Sequence, residues 1–242
     1  MSRRSWSAAA VAVISGLLVV ACAAGGTVTP GASVSAGAHA SAGAAPDAAA
    51  LRSQLVAAVK QARSVHVNGS VSQGAQRSAL DVVLTRAGGI GGTVSAEGHP
   101  VAVRTSRGHA YILVSRSMSR WQKISPAVCA LMCGKWLKES GSGLRSLTGD
   151  AGWAKIVTPF EVAMARETVG YGGKATVNGQ PVLKLNFAGV GTVYVAAQGT
   201  PYPLRIQSGA NQLTYSAWNT AALPPPPPAS KVITTGQLAT GG

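Results

Sequence analysis

The stretch Ser64-Val65-His66-Val67-Asn68-Gly69-Ser70, answered after a short gap by Leu80-Asp81-Val82-Val83-Leu84, decides the fold. Val65, Val67 and Gly69 alternate with His66, Asn68 and Ser70, and Leu80, Val82 and Leu84 repeat the same period of two. A period of two puts one set of side chains on each face of a strand, so both runs are predicted to be half-buried strands. Upstream the period is different. Leu51, Leu55, Val56 and Val59 recur at helical spacing behind Asp47, a residue suited to a helix N-cap, and an amphipathic helix is predicted from there to about Ser64.

Downstream, further strands are predicted around Thr93, over Val101 to Thr105 and over Ala110 to Val114, separated by breaks such as Gly88-Gly89 and Gly108. This spacing implies an antiparallel meander. From about Ser117 to Val169 the alternation is lost. That region reads as short helices and loops, with Trp121, Leu131, Trp136, Leu137, Leu144, Leu147, Trp153, Phe160, Val162 and Met164 as buried anchors. Alternation returns at Lys174 to Asn178, Val182 to Phe187, Thr192 to Ala197, Pro203 to Gln207 and Gln212 to Trp218, a second meander. Pro224 to Pro228 suits neither helix nor sheet, and residues 229–242 read as a loose C-terminal tail.

The first 22 residues have the three parts of an export signal. Arg3 and Arg4 form a basic start, an apolar run extends from Ala8 to Ala21, and small residues close it. The run is short and Ala-rich for a spanning helix. Val19-Val20-Ala21-Cys22 resembles the lipobox of bacterial lipoproteins, in which the leader (residues 1–21) is removed and the thiol of Cys22 receives a diacylglyceryl group. The other reading is an ordinary secretory signal with a coincidental cysteine. Ser2-Arg3-Arg4-Ser5-Trp6 also faintly resembles a twin-arginine signal, although Ser7 and Ala8 depart from that pattern, so the export route stays open. Residues 22–46 carry almost no large apolar group after the cysteine and read as a flexible tether.

The formal charge is +14 over the whole chain and +12 once Arg3 and Arg4 leave with the leader. Such a surface is attracted to an anionic leaflet. Nucleic acid is disfavoured as a partner, because the Lys and Arg residues are scattered and export removes the chain from it. With Cys22 assigned to lipid, Cys129 and Cys133 are left as an even pair, and a local disulfide suits an oxidising compartment. A purely helical spacing of four separates the Cα atoms by about 6 Å, so a turn there eases closure. A redox or metal site lacks both the Cys-x-x-Cys spacing and a nearby His.

The order of elements, together with specific phrases, resembles the actinobacterial LppX and LprG lipoproteins, whose half-barrel is shared with the LolA and LolB lipoprotein carriers. The phrases are Ser64-Val65-His66-Val67-Asn68-Gly69, Ala110-Tyr111-Ile112, Gly134-Lys135-Trp136-Leu137, Val177-Asn178-Gly179-Gln180, Val193-Tyr194-Val195 and Gly199-Thr200-Pro201-Tyr202-Pro203-Leu204. They span about Leu51 to Pro228. The resemblance implies an α+β fold: a strongly curved antiparallel sheet, a half-barrel, with helices covering a concave apolar face that holds acyl chains of a lipid or lipoprotein. The domain is expected over residues 47–228, as a monomer. It carries over no individual binding residue, since the family has no short motif that fixes one.

The residues themselves point the same way. A one-sided apolar sheet must cover that side, and a curved sheet with few helices can leave a lined cavity. The alternating apolar residues that would line it are Leu80, Val82, Leu84, Val101, Val103, Ile112, Val114, Leu183, Leu185, Phe187, Val193, Val195, Leu204, Ile206 and Leu213. A one-residue slip would turn any strand's set outward. The same residues also suit a dry core, which leaves a non-enzymatic structural or interaction lipoprotein with a filled core as the alternative.

An enzyme is not expected. The seven carboxylates (Asp47, Asp81, Glu97, Glu139, Asp150, Glu161, Glu167) show no acid–base pair, and the four histidines (His39, His66, His99, His109) are dispersed. Ser140-Gly141-Ser142-Gly143 is not Gly-x-Ser-x-Gly, and Gly88-Gly89-Ile90-Gly91-Gly92 opens no helix. A hydrolase would require a Ser, a His and a carboxylate brought together by folding. Trp121 and Trp136, each near Lys or Arg, suit either a membrane surface or a core edge. No cofactor, catalytic residue or metal is implied. The expected setting is the extracytoplasmic face of the cell membrane, with the lipid on Cys22 as anchor, a lipid or acylated ligand as cargo and an envelope transporter as a further partner.

Overall fold

The computed structural model describes residues 46–73, 76–96, 98–139, 152–234 and 237. The leader, Cys22, the tether up to residue 45, His39, Glu97, Ser140-Gly141-Ser142-Gly143, Leu144, Leu147 and Asp150 lie outside them. The chain is α+β, built on one open twelve-stranded sheet, antiparallel except at one edge.

Helix α1 (Ala48–Gln61) starts where Asp47 accepts a hydrogen bond from the Ala49 amide. It ends short of Ser64, because Ala62 is already extended. Arg86 then takes up the carbonyls left at that end, donating from Nε to Ala62 and from Nη2 to Val59 at 2.8 and 2.7 Å. Strands β1 (Ser64–Gln73), β2 (Gln76–Thr85), β3 (Ile90–Ala96), β4 (His99–Ser106) and β5 (His109–Leu113) follow as a meander.

Helices α2 (Arg116–Trp121) and α3 (Pro126–Met132) lead to β6 (Trp136–Glu139). The region expected to hold only helices and loops thus contains a strand. Four residues are too few for alternation to register, but Ile112 faces Leu137 and the pairing with β5 is regular. Cys129 and Cys133 are joined by a disulfide. Their Cα atoms are 4.9 Å apart, closer than in a continuous helix, at the end of α3, where Cys133 is the extended C-cap.

Helices α4 (Trp153–Ile156) and α5 (Thr158–Arg166) precede β7 (Val169–Val177), β8 (Gln180–Phe187), β9 (Gly191–Ala196), β10 (Pro203–Ser208) and β11 (Asn211–Ser216). Strand β11 pairs with β1, His66 opposite Ser216 and Val67 opposite Tyr215, so the two meanders form one sheet. One inward row crosses nine strands as Tyr171, Leu185, Val193, Ile206, Leu213, Gly69, Leu80, Val94 and Val101.

Glycine stands at several inward positions where neighbouring strands close together, Gly69 and Gly92 among them. A Cβ on Gly69 would collide with the Gln212 carbonyl, and one on Gly92 with the Asp81 carbonyl; both have positive φ (150° and 143°). Missing side chains on the inner face let the sheet fold inward there.

Over that face lie α1, α4 and α5, and Met118 of α2 joins them. Leu55, Val59, Ile156 and Met164 pack with Leu84, Val103, Leu185 and Val193 in a single apolar cluster. Burying each of these side chains contributes about 1.5–3 kcal/mol. Of the expected anchors, Trp121, Leu137 and Phe160 are only half-buried, and two are exposed: Leu131 by 48% on α3 and Val162 by 42% on α5. Their helices are short and meet the sheet with Met132 and Met164 instead.

The C-terminal segment departs from the loose tail expected after Pro228. Leu223 and Pro224 lie against Gly89 and Gly91 on the outer face, and Arg104 donates to the Pro225 carbonyl at 2.8 Å. After a 3-10 turn (Ala229–Lys231), β12 (Val232–Thr234) pairs in parallel with β6. Ile233 is buried in a second cluster with Val114 and Met132. Only one large side chain in this segment meets the core, so its sequence looks like a tail. Ile233→Ala should therefore lower the unfolding free energy by about 2 kcal/mol in urea denaturation; unchanged stability would mean that the strand is not docked.

Candidate functional site

The concave face is the one continuous apolar surface among the described residues. Of the residues expected to line it, Leu80, Val82 and Leu84 on β2, Val101 and Val103 on β4, Ile112 on β5, Leu185 and Phe187 on β8, Val193 and Val195 on β9, Ile206 on β10 and Leu213 on β11 are all buried in the cluster under the helices. Val114 is buried too, but in the second cluster at the β6 edge.

Leu183 and Leu204 differ. Leu183 pairs with Val195 on the inner face, yet it is only half-buried, with exposed Lys174 as its other neighbour. Leu204 is displaced by a bulge: Pro203 pairs with Val195 and Arg205 with Tyr194, so one residue of β10 is left over. Pro203 and Ile206 face inward instead, and Leu204 lies outside the cluster. A second irregularity between Tyr171 and Lys174 on β7 falls at Gly172-Gly173, which hid the start of that strand from any alternation pattern.

One end of the concave face is aromatic and partly polar. Trp218 stacks on Tyr202 at 4.8 Å and on Tyr215 at 5.8 Å, and Trp153 of α4 meets it edge-on at 6.3 Å. The Arg86 guanidinium sits over the Trp153 ring at 4.8 Å, with Nη2 3.7 Å from Oε2 of Glu161 on α5. Trp218 donates to the Pro203 carbonyl at 2.9 Å and Asn219 donates to the Tyr202 hydroxyl at 2.6 Å. The Tyr215 hydroxyl, Trp153 Nε1 and Glu161 Oε2 are buried without a hydrogen-bond partner among the described residues. Burial pushes the Tyr215 phenol above its ordinary pKa, so it stays protonated. Nothing in the sequence flags this cluster, because its members come from five separate segments.

On the convex face, folding brings together a Ser, a His and a carboxylate. His66 Nδ1 is 3.1 Å from Ser216 Oγ, and His66 Nε2 is 2.6 Å from Asp81 Oδ1. These are cross-strand neighbours on β11, β1 and β2. Ser216 is exposed, and the side chains of His66 and Asp81 are 36% and 61% exposed. Strand β1 is paired on both sides here, so its backbone amides are committed to the ladder rather than converging on a tetrahedral oxyanion. In a hydrolytic triad the carboxylate is buried behind the His, whereas Asp81 faces solvent. The cluster reads as sheet-surface pairing.

The remaining titratable residues are scattered. His99 stacks on Trp121 at 4.9 Å, His109 lies on β5 with Nδ1 buried and unpartnered, and Asp47 caps α1. Glu167 passes its backbone carbonyl to Arg52 Nη1 at 3.0 Å, tying α5 to α1. Burial raises the pKa of the Glu139 carboxyl. Trp136 is buried against the Arg104 guanidinium, 4.6 Å from its ring. No group of His, Cys, Asp and Glu among the described residues is arranged to hold a metal, and no described helix is long and apolar enough to cross a membrane.

No known protein family and no curated protein matches the chain by sequence. Solved structures do match. LprF from Mycobacterium bovis is 12% identical over 76% of this chain and 99% of its own, with a TM-score of 0.50. The lipoprotein LppX from Mycobacterium tuberculosis is 17% identical over 72% and 97%, at 0.45. MucB from Pseudomonas aeruginosa, solved with MucA, is 15% identical over 81% and 62%, at 0.35. At such identities the likeness concerns architecture, and of these three LprF carries the argument. The chain has the LppX/LprG-like half-barrel fold, seen in LprF.

Proposed function

We propose that the protein is an envelope lipoprotein, anchored through Cys22 to the extracytoplasmic face of the cell membrane, that binds a lipidic or acylated ligand between its concave sheet face and the helices over it. The observation that carries this reading is the unclosed sheet itself. Its inner face is a single apolar surface from β8 to β5, and what covers it is one fourteen-residue helix and three short ones. An acyl chain entering there gains about 0.8 kcal/mol per buried CH2, less the cost of ordering it. Parting α4 and α5 from the sheet would open that space without breaking a strand pair. Uptake and release are then non-covalent, with an envelope transporter as donor or acceptor.

One observation favours the alternative of a filled core. Val82, Leu84, Val103, Leu185, Val193 and Val195 are each fully buried, so the helices already seat closely on the sheet. Native mass spectrometry with lipid extraction on gently purified Cys22→Ala protein separates the two readings. A stoichiometric, chemically narrow set of lipids is expected; a mass that stays empty when lipid is offered would favour the interaction protein.

No hydrolytic step is assigned to Ser216, His66 and Asp81. A fluorophosphonate probe is accordingly expected to leave Ser216 unmodified. Stoichiometric labelling of Ser216 that His66→Ala abolishes would instead place an esterase on the convex face.

A further inference from the structure

We infer that Tyr215 and Trp153 form the polar terminus of the concave site and receive an uncharged acceptor oxygen of the ligand, so that the bound molecule is oriented with its ester or hydroxyl end at the aromatic cluster. The inference rests on the lipid-binding reading above and adds to it the residues that choose the ligand's polar end.

Both donors stand on the inner side. Tyr215 pairs across to Val67, whose side chain is in the core, and Trp153 enters the same cluster from α4. The two rings meet Trp218 at 5.8 and 6.3 Å, so the donors belong to one cluster. Tyr215 is 3% exposed and Trp153 5%, and neither the phenol oxygen nor the indole Nε1 has a partner among the described residues. Buried polar groups are nearly always satisfied, and one left unmade costs stability, so two within a single cluster call for an explanation. Trp218, in the same cluster, donates to the Pro203 carbonyl, so the neighbourhood does not lack acceptors for want of packing.

The donor types select the ligand. An indole N–H only donates, and a phenol that burial keeps protonated donates readily, so the complement is an oxygen acceptor. Its charge is set by the neighbours. Arg86 is committed to two backbone carbonyls at the end of α1, and its remaining charge faces Glu161, whose Oε2 is itself buried and without a hydrogen bond. A second carboxylate or a phosphate brought beside Glu161 would meet like charge at low dielectric. An ester carbonyl or a glycerol hydroxyl meets no such penalty, and a hydroxyl can in addition donate to Glu161.

The test compares three probes of matched chain length: 1-monopalmitoylglycerol, palmitate and hexadecane. Binding is measured by displacement of a fluorescent apolar dye from the Cys22→Ala protein. Wild type should bind monopalmitoylglycerol more tightly than palmitate. Tyr215→Phe, which deletes one oxygen, should weaken monopalmitoylglycerol about tenfold, leave hexadecane unchanged, and keep or raise the melting temperature of the unliganded protein. Trp153→Phe should act in the same direction; should it fail to fold, Tyr215→Phe decides alone. Equal affinity of Tyr215→Phe and wild type for monopalmitoylglycerol would overturn the inference while leaving lipid binding intact. So would equal losses for monopalmitoylglycerol and hexadecane together with a lower melting temperature, the signature of a purely structural phenol. Failure of wild type to bind any of the three probes would overturn the lipid-binding reading itself, and this inference with it.

Discussion

Strand β11 pairs with β1, and through that pairing two separate meanders become one sheet. Every strand must then present its apolar side to the same volume, since a reversal at the seam would expose half of the valines and leucines. Val67 opposite Tyr215 and Gly69 opposite Leu213 hold that register at the centre. The turn after β11 reinforces it: Asn219 donates from its amide to the Ser64 carbonyl, and its side-chain oxygen accepts from the Arg63 amide at 2.7 Å. With the seam fixed, the inward glycines bend the sheet and α1, α4 and α5 have only one side on which to lie. The curved face is therefore a consequence of the seam rather than of any one strand.

The free ends of the sheet are treated differently. The β6 edge is capped by β12, delivered there by the proline-rich segment that crosses the outer face and is held by Arg104. The β7 edge has no further strand among the described residues, but it is interrupted at Gly172-Gly173 and carries Lys174, features that discourage pairing with another chain. An open sheet with guarded edges can keep a gap between its two ends, where a closed barrel would fix its own interior volume.

Strands that alternate strictly were legible in the sequence, as were the N-cap at Asp47 and the inward parity of Leu80, Val82 and Leu84 or Val193 and Val195. What was not legible has local causes. The bulge at Pro203 to Arg205 turns Leu204 away from the position that counting by two assigns it, and β6 and β12 are shorter than the pattern that would announce them. Contacts between distant segments were out of reach altogether. The convex trio of Ser216, His66 and Asp81 and the buried cluster of Tyr215, Trp153, Arg86 and Glu161 each exist only because the seam and the helical cover bring remote positions together. The first is exposed and satisfied, the second buried and partly unsatisfied, and that contrast is why chemistry is sought in the concave face.

The central claim is that this concave face accepts an acyl chain, and photocrosslinking tests it most directly. An acylglycerol with a diazirine near the chain terminus would be irradiated with the Cys22→Ala protein and the adducts mapped by peptide sequencing. The account predicts adducts on inward residues such as Leu185, Val193 and Ile206 or on the facing sides of α4 and α5. Adducts confined to outward residues such as Tyr194 and Gln207, or none at all, would contradict it.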